Sequence, residues 1–270
     1  MSTVIVWGTD EGTGNVGSCY VASDSRFSTG IKSWDNGQKV YTLNRGGIIA
    51  YVGDVLFPVA LITQLIDMID RNMLFDETED NDKKANLIYE YILTASSKYL
   101  TSLRRTNIIL VLIKNKIFSM YEIGFNPTQM NKRDIIPGEP FVYGTGSADY
   151  KKSLNKLKPE AKQTLYGSNI DESKLSRYIF QSLVDSVNNG KDKMSGGNIQ
   201  LVSLYKNSVS KPVGIIQKEK LYLYGQEIAE YHDLSSIEWR NEKFEICNPE
   251  MKDIEIDAQK QPFHKKFQVK

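Results

Sequence analysis

The order in which strand-like and helix-like segments follow one another constrains the fold of this chain most strongly. Short strands are predicted first, followed by two helices, a hairpin with one further short strand, two more helices and closing strands. The predicted strands are 2–7, 19–26, 39–43, 46–54, 108–113, 117–125, 140–147 and two after residue 198, and the helices are 55–72, 85–103, 148–157 and 172–188. Paired helices between groups of strands indicate two sheets covered by helices, an α+β class, rather than the regular alternation of a doubly wound fold.

The second predicted strand, CYVASDSR, is apolar at first and then carries Asp24 and Arg26. Unpaired charge in a protein interior is costly, so both side chains need partners. The turn before this strand contains Gly12-x-Gly14-x-x-Gly17, which has dinucleotide-binding spacing. That motif requires a following helix, whereas a strand pattern follows here, so a hairpin is predicted.

Charge and composition exclude several classes of function. The 34 basic and 33 acidic residues give a net charge of +1, and no basic stripe points to nucleic acid or to an anionic membrane surface. We find no bilayer-spanning run and no secretory signal, and the two cysteines are too far apart in sequence to indicate a disulfide framework. We therefore expect a cytoplasmic protein with no cofactor and no metal. The two histidines, His232 and His264, lie late in the chain, so a base other than imidazole is expected in any hydrolase built from it.

The sequence divides into a main domain and a more polar tail. Residues 1–233 contain all the predicted strands and helices, whereas residues 234–270 are mixed in charge and weakly patterned. We predict one domain over 1–233 and a C-terminal extension over 234–270 that could reach a neighbouring subunit.

Five scattered features have ordinary explanations singly, but together they form a pattern. They are Ser2, which directly follows Met1, then Asp24 with Arg26, Lys39, Gly53, and the run Asp192-x-x-Ser195-Gly196-Gly197. The sequence around them includes ASDSRFSTG, KVYTL, IIAYVGD, VYGTGS and DKMSGGNIQLVSLY. In this order, the segments resemble the catalytic β subunits of the proteasome family of N-terminal nucleophile hydrolases, including its smaller bacterial HslV- and Anbu-like forms. The resemblance runs from Ser2 to about Gly225.

The resemblance implies a fold, an activity and a role for each matching residue. The fold would be a four-layer αββα sandwich, and the activity would be that of a threonine/serine-type peptidase in a self-compartmentalising homo-oligomer, a ring or stack, acting on peptides or unfolded proteins. An ATPase unfoldase is a further partner that the family suggests.

The implied catalytic residues are Ser2 as nucleophile, Asp24, Lys39, Gly53 as oxyanion donor, Thr145, Asp192 and Ser195, with Arg26 in support. The implied pocket for the substrate side chain before the cut is Phe27, Gly37, Tyr41, Tyr51 and Val55, which predicts a preference for apolar over acidic residues.

Physical chemistry is consistent with these roles. A serine hydroxyl needs a neighbouring base, and a free α-amine with a pKa of about 7.7–8.0 suits that task. An ammonium at Lys39 would favour the neutral amine, and Asp24 would hold that ammonium in place. An N–H at Gly53 could contribute about 3 kcal/mol to oxyanion binding.

The sequence departs from the family pattern at the nucleophile and leaves alternatives open. The family usually has threonine where Ser2 stands, and Thr3 would become the terminus after a second trimming; we prefer Ser2 because it keeps Val4, Ile5 and Val6 in the family's strand register. One alternative function is an N-terminal nucleophile amidase acting on a small amide. Another is a catalytically silent, structural proteasome-like subunit.

Overall fold

Two sheets contain most of the strands in the computed structural model. The structure describes residues 2–10, 14–29, 31–44, 46–99, 102–103, 106–165, 176–229, 233–256 and 258, with only the backbone over 158–165. The larger sheet has eight strands and the smaller sheet has five. A two-stranded ribbon lies apart from both sheets.

The strand and helix bounds are as follows. The larger sheet contains β1 Thr3–Asp10, β2 Val16–Ser23, β10 Phe141–Gly144, β11 Gln200–Tyr205, β12 Ser210–Gln217, β13 Lys220–Leu223, β14 Gln226–Glu227 and β15 Glu238–Asn241. The smaller sheet contains β5 Val40–Leu43, β6 Gly47–Val52, β7 Asn107–Lys114, β8 Ile117–Gly124 and β9 Gln129–Arg133, and the ribbon consists of β3 Phe27–Ser28 and β4 Ser33–Trp34. The helices are α1 Leu56–Asp70, α2 Asn81–Ser97, α3 Ser147–Leu165 and α4 Ser176–Asn188. The strand order is β10-β1-β2-β11-β12-β13-β14 in the larger sheet, with β15 paired to β12, and β5-β6-β7-β8-β9 in the smaller sheet. The predicted α+β class is confirmed.

Both faces of β1 are buried, which explains its almost continuous apolar sequence. Because side chains alternate along a strand, Val4 and Val6 point one way and Ile5 and Trp7 the other. Val4 and Val6 belong to a cluster that joins the two sheets, with β6 and β7 supplying Ile48, Ala50, Ile109 and Val111. Ile5 and Trp7 belong to a second cluster, which includes Phe180 and Leu183 of α4. A third cluster packs the opposite face of the smaller sheet against α1 and α2.

Strand pairing places β1 at an interior position of the larger sheet, next to the edge strand β10. β1 pairs antiparallel with β2 on one side and with β10 on the other. The segment between β1 and β2 is therefore a hairpin connection, as predicted from the strand pattern that follows it. β2 in turn pairs with β11, so three distant parts of the sequence meet beside Thr3.

Residues 234–256, which fall in the expected C-terminal extension, pack against the larger sheet. β15 pairs in parallel with β12, and the Trp239 ring lies so close to Gly214 that an added Cβ there would be 2.3 Å from it. Phe244 lies 5.7 Å from the Trp7 ring and 5.3 Å from the Phe180 ring, measured between centroids. This segment therefore contributes to the apolar packing around β1.

None of the helices in the described residues is long and apolar enough to cross a membrane.

Candidate active site

The start of β1 and the end of β2 are held together at Thr3 and Asp24. The Thr3 backbone N–H donates to Asp24 Oδ1 at 2.8 Å, and the Asp24 backbone N–H donates to the Thr3 carbonyl at 3.3 Å. The antiparallel register, with Val4 opposite Ser23, produces this pairing directly. Asp24 is therefore fixed beside the peptide group that follows Ser2.

The Asp24 carboxylate is fully buried and has several partners. Its Oδ2 accepts hydrogen bonds from the backbone N–H groups of Gly196 at 2.9 Å and Arg26 at 3.2 Å. The Lys39 ammonium lies 3.0 Å from the same oxygen, and both side chains are 0% exposed. A buried carboxylate is tolerated when it is paired and hydrogen-bonded in this way.

Lys39 is the largest charged side chain in the interior of the site. Its Nζ lies 3.0 Å from Asp24 Oδ2, so the two side chains form a buried ion pair. The Phe27 ring centroid lies 5.9 Å from the Lys39 Nζ. Burial lowers the pKa of Lys39 below its ordinary value, and the charge of Asp24 opposes this effect. A lysine in this environment loses its proton more readily than an exposed one.

A second carboxylate, Asp192, organises the other side of the site. Its Oδ2 accepts from the hydroxyls of Thr145 at 2.6 Å and Ser195 at 2.8 Å, and its Oδ1 accepts from the Met194 N–H at 3.0 Å. The Ser195 hydroxyl also lies 2.9 Å from the Thr3 hydroxyl. Thr3 therefore joins the Asp192 group to the Asp24 group, through its side chain and its backbone respectively.

Two glycines beside Thr145 allow β10 and its following turn to approach the chain terminus. A Cβ at Gly144, where φ is +94°, would lie 1.7 Å from the Ser2 carbonyl oxygen. A Cβ at Gly146 would lie 2.0 Å from the Thr3 hydroxyl. Glycine is required at both positions because any side chain would displace the terminus. Sequence reasoning did not assign these residues, although the GTG run was the available signal.

Arg26 braces the turn that carries Ser195 and Gly196. It binds Asp35 through two hydrogen bonds, of 2.7 and 2.8 Å, and donates to the Lys193 carbonyl at 3.3 Å. The hydrogen bond to Asp35 raises the pKa of Arg26, and the same bond lowers the pKa of Asp35. A Cβ at Gly196 would lie 2.3 Å from the guanidinium carbon, so the arginine covers this glycine closely. Asp35 was not predicted from the sequence.

Four of the five residues expected to line a substrate pocket lie around Gln38 and its neighbour Gly37. The Phe27 ring covers Gly37, where a Cβ would lie 2.3 Å from it, and the hydroxyls of Tyr41 and Tyr51 both donate to the Gln38 carbonyl at 3.1 Å. Burial raises the pKa of Tyr41 to about 12 and also raises that of Tyr51, so both hydroxyls stay protonated. The fifth residue, Val55, is the N-cap of α1.

Gly53 lies on the Lys39 side of the site. It follows β6, two residues after Tyr51, whose N–H donates to the Lys39 carbonyl at 3.1 Å. Its φ of +109° is in the region that favours glycine. In the described part of the chain, neither Gly53 nor Val55 shares a hydrogen bond with Asp24 or Asp192.

Nothing in the described residues brings three His, Cys, Asp or Glu side chains together in a way that could hold a metal ion. His232 and His264 lie outside the described residues.

Comparison with known protein families finds no family that matches this chain, and no curated protein matches its sequence.

Proposed function

We propose that this chain is an N-terminal nucleophile hydrolase that cleaves peptide bonds, with Ser2 as the nucleophile once Met1 is removed. The observation that carries the proposal is the Asp24 carboxylate, which contacts the Lys39 ammonium, the Gly196 N–H and the Thr3 N–H at 3.0 Å or less. A buried acid and a buried base are thus held against the first peptide group of the mature chain. Burial lowers the pKa of Lys39, and a titratable group with a shifted pKa inside such a cluster is typical of active sites.

The contacts of Thr3 favour Ser2 over Thr3 as the mature terminus. The nitrogen of Thr3 lies 2.8 Å from Asp24 Oδ1. As a peptide N–H it donates there while remaining neutral. As a terminal amine it would be an ammonium paired with a carboxylate, which raises the pKa of the amine and makes it a poorer base. The Thr3 hydroxyl is also already engaged, because it lies 2.9 Å from the Ser195 hydroxyl.

In the proposed mechanism, the α-amine of Ser2 takes the proton of the Ser2 hydroxyl as the hydroxyl oxygen attacks the carbonyl carbon of the substrate. The charge of Lys39, maintained by Asp24, favours the neutral amine. Gly53 supplies an N–H for the oxyanion, and the amine returns the proton to the leaving nitrogen. Water then hydrolyses the acyl-enzyme and regenerates Ser2. Thr145, Asp192 and Ser195 position the terminus through Thr3.

We also propose the four-layer αββα arrangement and a homo-oligomeric state for this hydrolase. The layered arrangement is supported by the three apolar clusters, one joining the two sheets and one on the opposite face of each sheet. The oligomer, a peptide or unfolded-protein substrate and an ATPase partner rest on the resemblance of the sequence to proteasome β subunits.

Covalent labelling followed by intact mass measurement tests the proposed nucleophile. A peptide epoxyketone forms its cyclic adduct only with a residue that carries both a hydroxyl and a free α-amine. We expect one adduct on wild-type protein lacking Met1, and no adduct on Ser2→Ala.

Lys39→Ala should label at least about 100-fold more slowly, as expected when a group that supports proton transfer is lost. Ser236→Ala, which removes an exposed serine far from Ser2 in sequence, should label like the wild type. Labelling that persists in Ser2→Ala would contradict the assignment.

A structural, catalytically silent subunit is the second candidate, and the burial of Ser2 favours it. Ser2 is only 3% exposed, so a substrate could not reach its hydroxyl without a change at the terminus. Retention of Met1 in the intact mass, together with no epoxyketone adduct, would support this candidate over the hydrolase.

A further inference from the structure

Gln200, the first residue of β11, is fully buried and uses both ends of its side-chain amide. Its Oε1 accepts hydrogen bonds from the backbone N–H groups of Lys39 at 2.9 Å and Val40 at 3.4 Å. Its Nε2 donates to the backbone carbonyls of Gly37 at 2.5 Å and Asp24 at 3.4 Å. A glutamine amide has two acceptor positions and two donor hydrogens, and here all four have partners.

The partners of Gln200 determine which way its amide is oriented. Two of them are N–H groups, which can only donate, and two are carbonyl groups, which can only accept. If the amide were reversed, its NH₂ group would face two N–H donors and its oxygen would face two carbonyl oxygens. The orientation of the side chain is therefore set by the backbone around it.

The hydrogen bonds of Gln200 connect the two members of the buried ion pair through their backbones. Asp24 directly follows β2 of the larger sheet, and Lys39 directly precedes β5 of the smaller sheet. Gln200 bonds to the carbonyl of the first and the N–H of the second. On its other side, the Lys39 carbonyl accepts from Tyr51 N–H at 3.1 Å, so the Lys39 backbone is held from both directions.

We propose that Gln200 is a positioning residue that sets the Lys39 ammonium against the Asp24 carboxylate by fixing their backbones relative to each other. This inference rests on the proposed function, in which that ion pair supports the Ser2 nucleophile. Gln200 acts through Lys39 and Asp24 and does not touch the substrate.

The proposal is tested by titrating Lys39 directly, which does not depend on activity. Protein labelled with ¹³C at the lysine ε-carbon is followed by NMR, and the Lys39 signal is assigned from its loss in Lys39→Met. The variant Gln200→Met keeps the length of the side chain and removes all four hydrogen bonds. Asp24 raises the pKa of Lys39, so loosening the pair should lower the titration midpoint, by at least about half a pH unit.

A matched control separates positioning from the general cost of losing a buried glutamine. Gln217, the last residue of β12, is 5% exposed, and none of the hydrogen bonds of Lys39 or Asp24 described above involves it. Gln217→Met should leave the midpoint of Lys39 unchanged. A midpoint in Gln200→Met that is unchanged or raised, or one that falls equally in Gln217→Met, overturns the proposal.

Two further measurements keep the result decisive. If Gln200→Met does not fold, Gln200→Asn retains the amide but is one methylene too short to reach all four partners, and the same downward shift is expected.

Epoxyketone labelling of the same proteins should be at least about tenfold slower for Gln200→Met, with a similar half-saturating concentration, because positioning affects the reaction rather than binding. If wild-type protein is not labelled at all, the proposed function fails, while the Lys39 titration still decides the role of Gln200.

Discussion

Lys39 is fully buried, and this makes the stability of the fold depend on pH. Burial lowers the pKa of Lys39 from its ordinary value of 10.5. Between the lowered pKa and 10.5, the unfolded chain binds more protons at this position than the folded protein does. The free energy of unfolding contributed by Lys39 therefore rises with pH in that window, and it is constant below it.

This dependence can be measured by comparing wild type with Lys39→Met. We expect the free energy of unfolding of the wild type, minus that of the variant, to increase as the pH is raised toward 10.5. Urea unfolding of both proteins at a series of alkaline pH values gives the difference. A difference that decreases over this range would show that Lys39 keeps its proton more firmly in the folded state.

Gly146 illustrates how closely the Thr145 turn approaches Thr3. In Gly146→Ala the new methyl would overlap the Thr3 hydroxyl. We expect a loss of about 1–3 kcal/mol in the free energy of unfolding, with at least about tenfold slower epoxyketone labelling. Gly124→Ala is the matched control, because a Cβ there meets no atom within 4 Å; its stability should stay within about 0.5 kcal/mol of wild type.

A second substitution tests whether the overlap with Thr3 is the cause. Thr3→Ala removes the hydroxyl that the new methyl would meet. In urea unfolding, the double variant Thr3→Ala with Gly146→Ala should therefore lose less stability than the sum of the two single variants. Additive losses would show that the effect of Gly146→Ala does not come from overlap with the Thr3 hydroxyl.

At the level of single residues, the sequence indicated those that carry charge but missed those that position them. Asp24 could be proposed because a charge on a buried strand needs a partner, and the resemblance to a known family paired it with Lys39. Gln200 lies in an apolar strand, where a polar residue ordinarily indicates a solvent-facing position. Its partners are more than 150 positions away in sequence, so no local pattern reveals them.

Among the helices, α2 begins earlier than the sequence predicted, because the N-cap residue was not recognised. Apolar spacing placed the start near Ala85, whereas the helix begins at Asn81, because the Asp80 side chain accepts the Lys83 N–H at 2.7 Å. We expect Asp80→Ala to lower the free energy of unfolding by about 1 kcal/mol. Asp80→Asn, which can still cap the helix, should stay close to wild type in the same urea experiment. Equal losses in the two variants would argue against capping.

Strand predictions succeeded where apolar residues are dense and failed where they are sparse. The β7–β8 hairpin was predicted because both strands are almost continuously apolar around a Lys-Asn-Lys turn. β9 was missed because its sequence, QMNKR, is polar and mostly exposed, and its position depends on pairing with β8. β15 was missed because it is short and pairs with β12, which lies more than 20 residues earlier.

For the whole molecule, residues 234–256 tie the end of the described chain to its beginning. The Phe244 ring packs against Trp7 and Tyr20, and the Arg240 guanidinium lies 4.1 Å from the Phe244 centroid. The Glu245 carboxylate lies 3.9 Å from the Arg177 guanidinium of α4, and both side chains are buried. The strand that begins at Thr3 therefore depends on this late segment for part of its packing.

Phe244→Ala measures that dependence. We expect a loss of about 3–5 kcal/mol in the free energy of unfolding, since a large buried ring is removed from an aromatic cluster. Met251→Ala, at a side chain that is 69% exposed, should change it by less than about 0.5 kcal/mol. Thermal or urea unfolding of both variants gives the comparison. Two small and similar losses would mean that the segment is peripheral to the core.

The position of β1 between β2 and β10 has a consequence for the timing of biosynthesis. Its neighbour β10 begins at Phe141, and the turn and strand that enclose Asp24 come only with Gly196 and Gln200. At ribosomal speeds of about 5–20 residues per second, residue 200 is made on the order of 10 s or more after Ser2. During that interval the residues that later enclose Asp24 beside Thr3 are still missing. Ser2 therefore stays accessible until these later segments have been made, and only then does folding bury it.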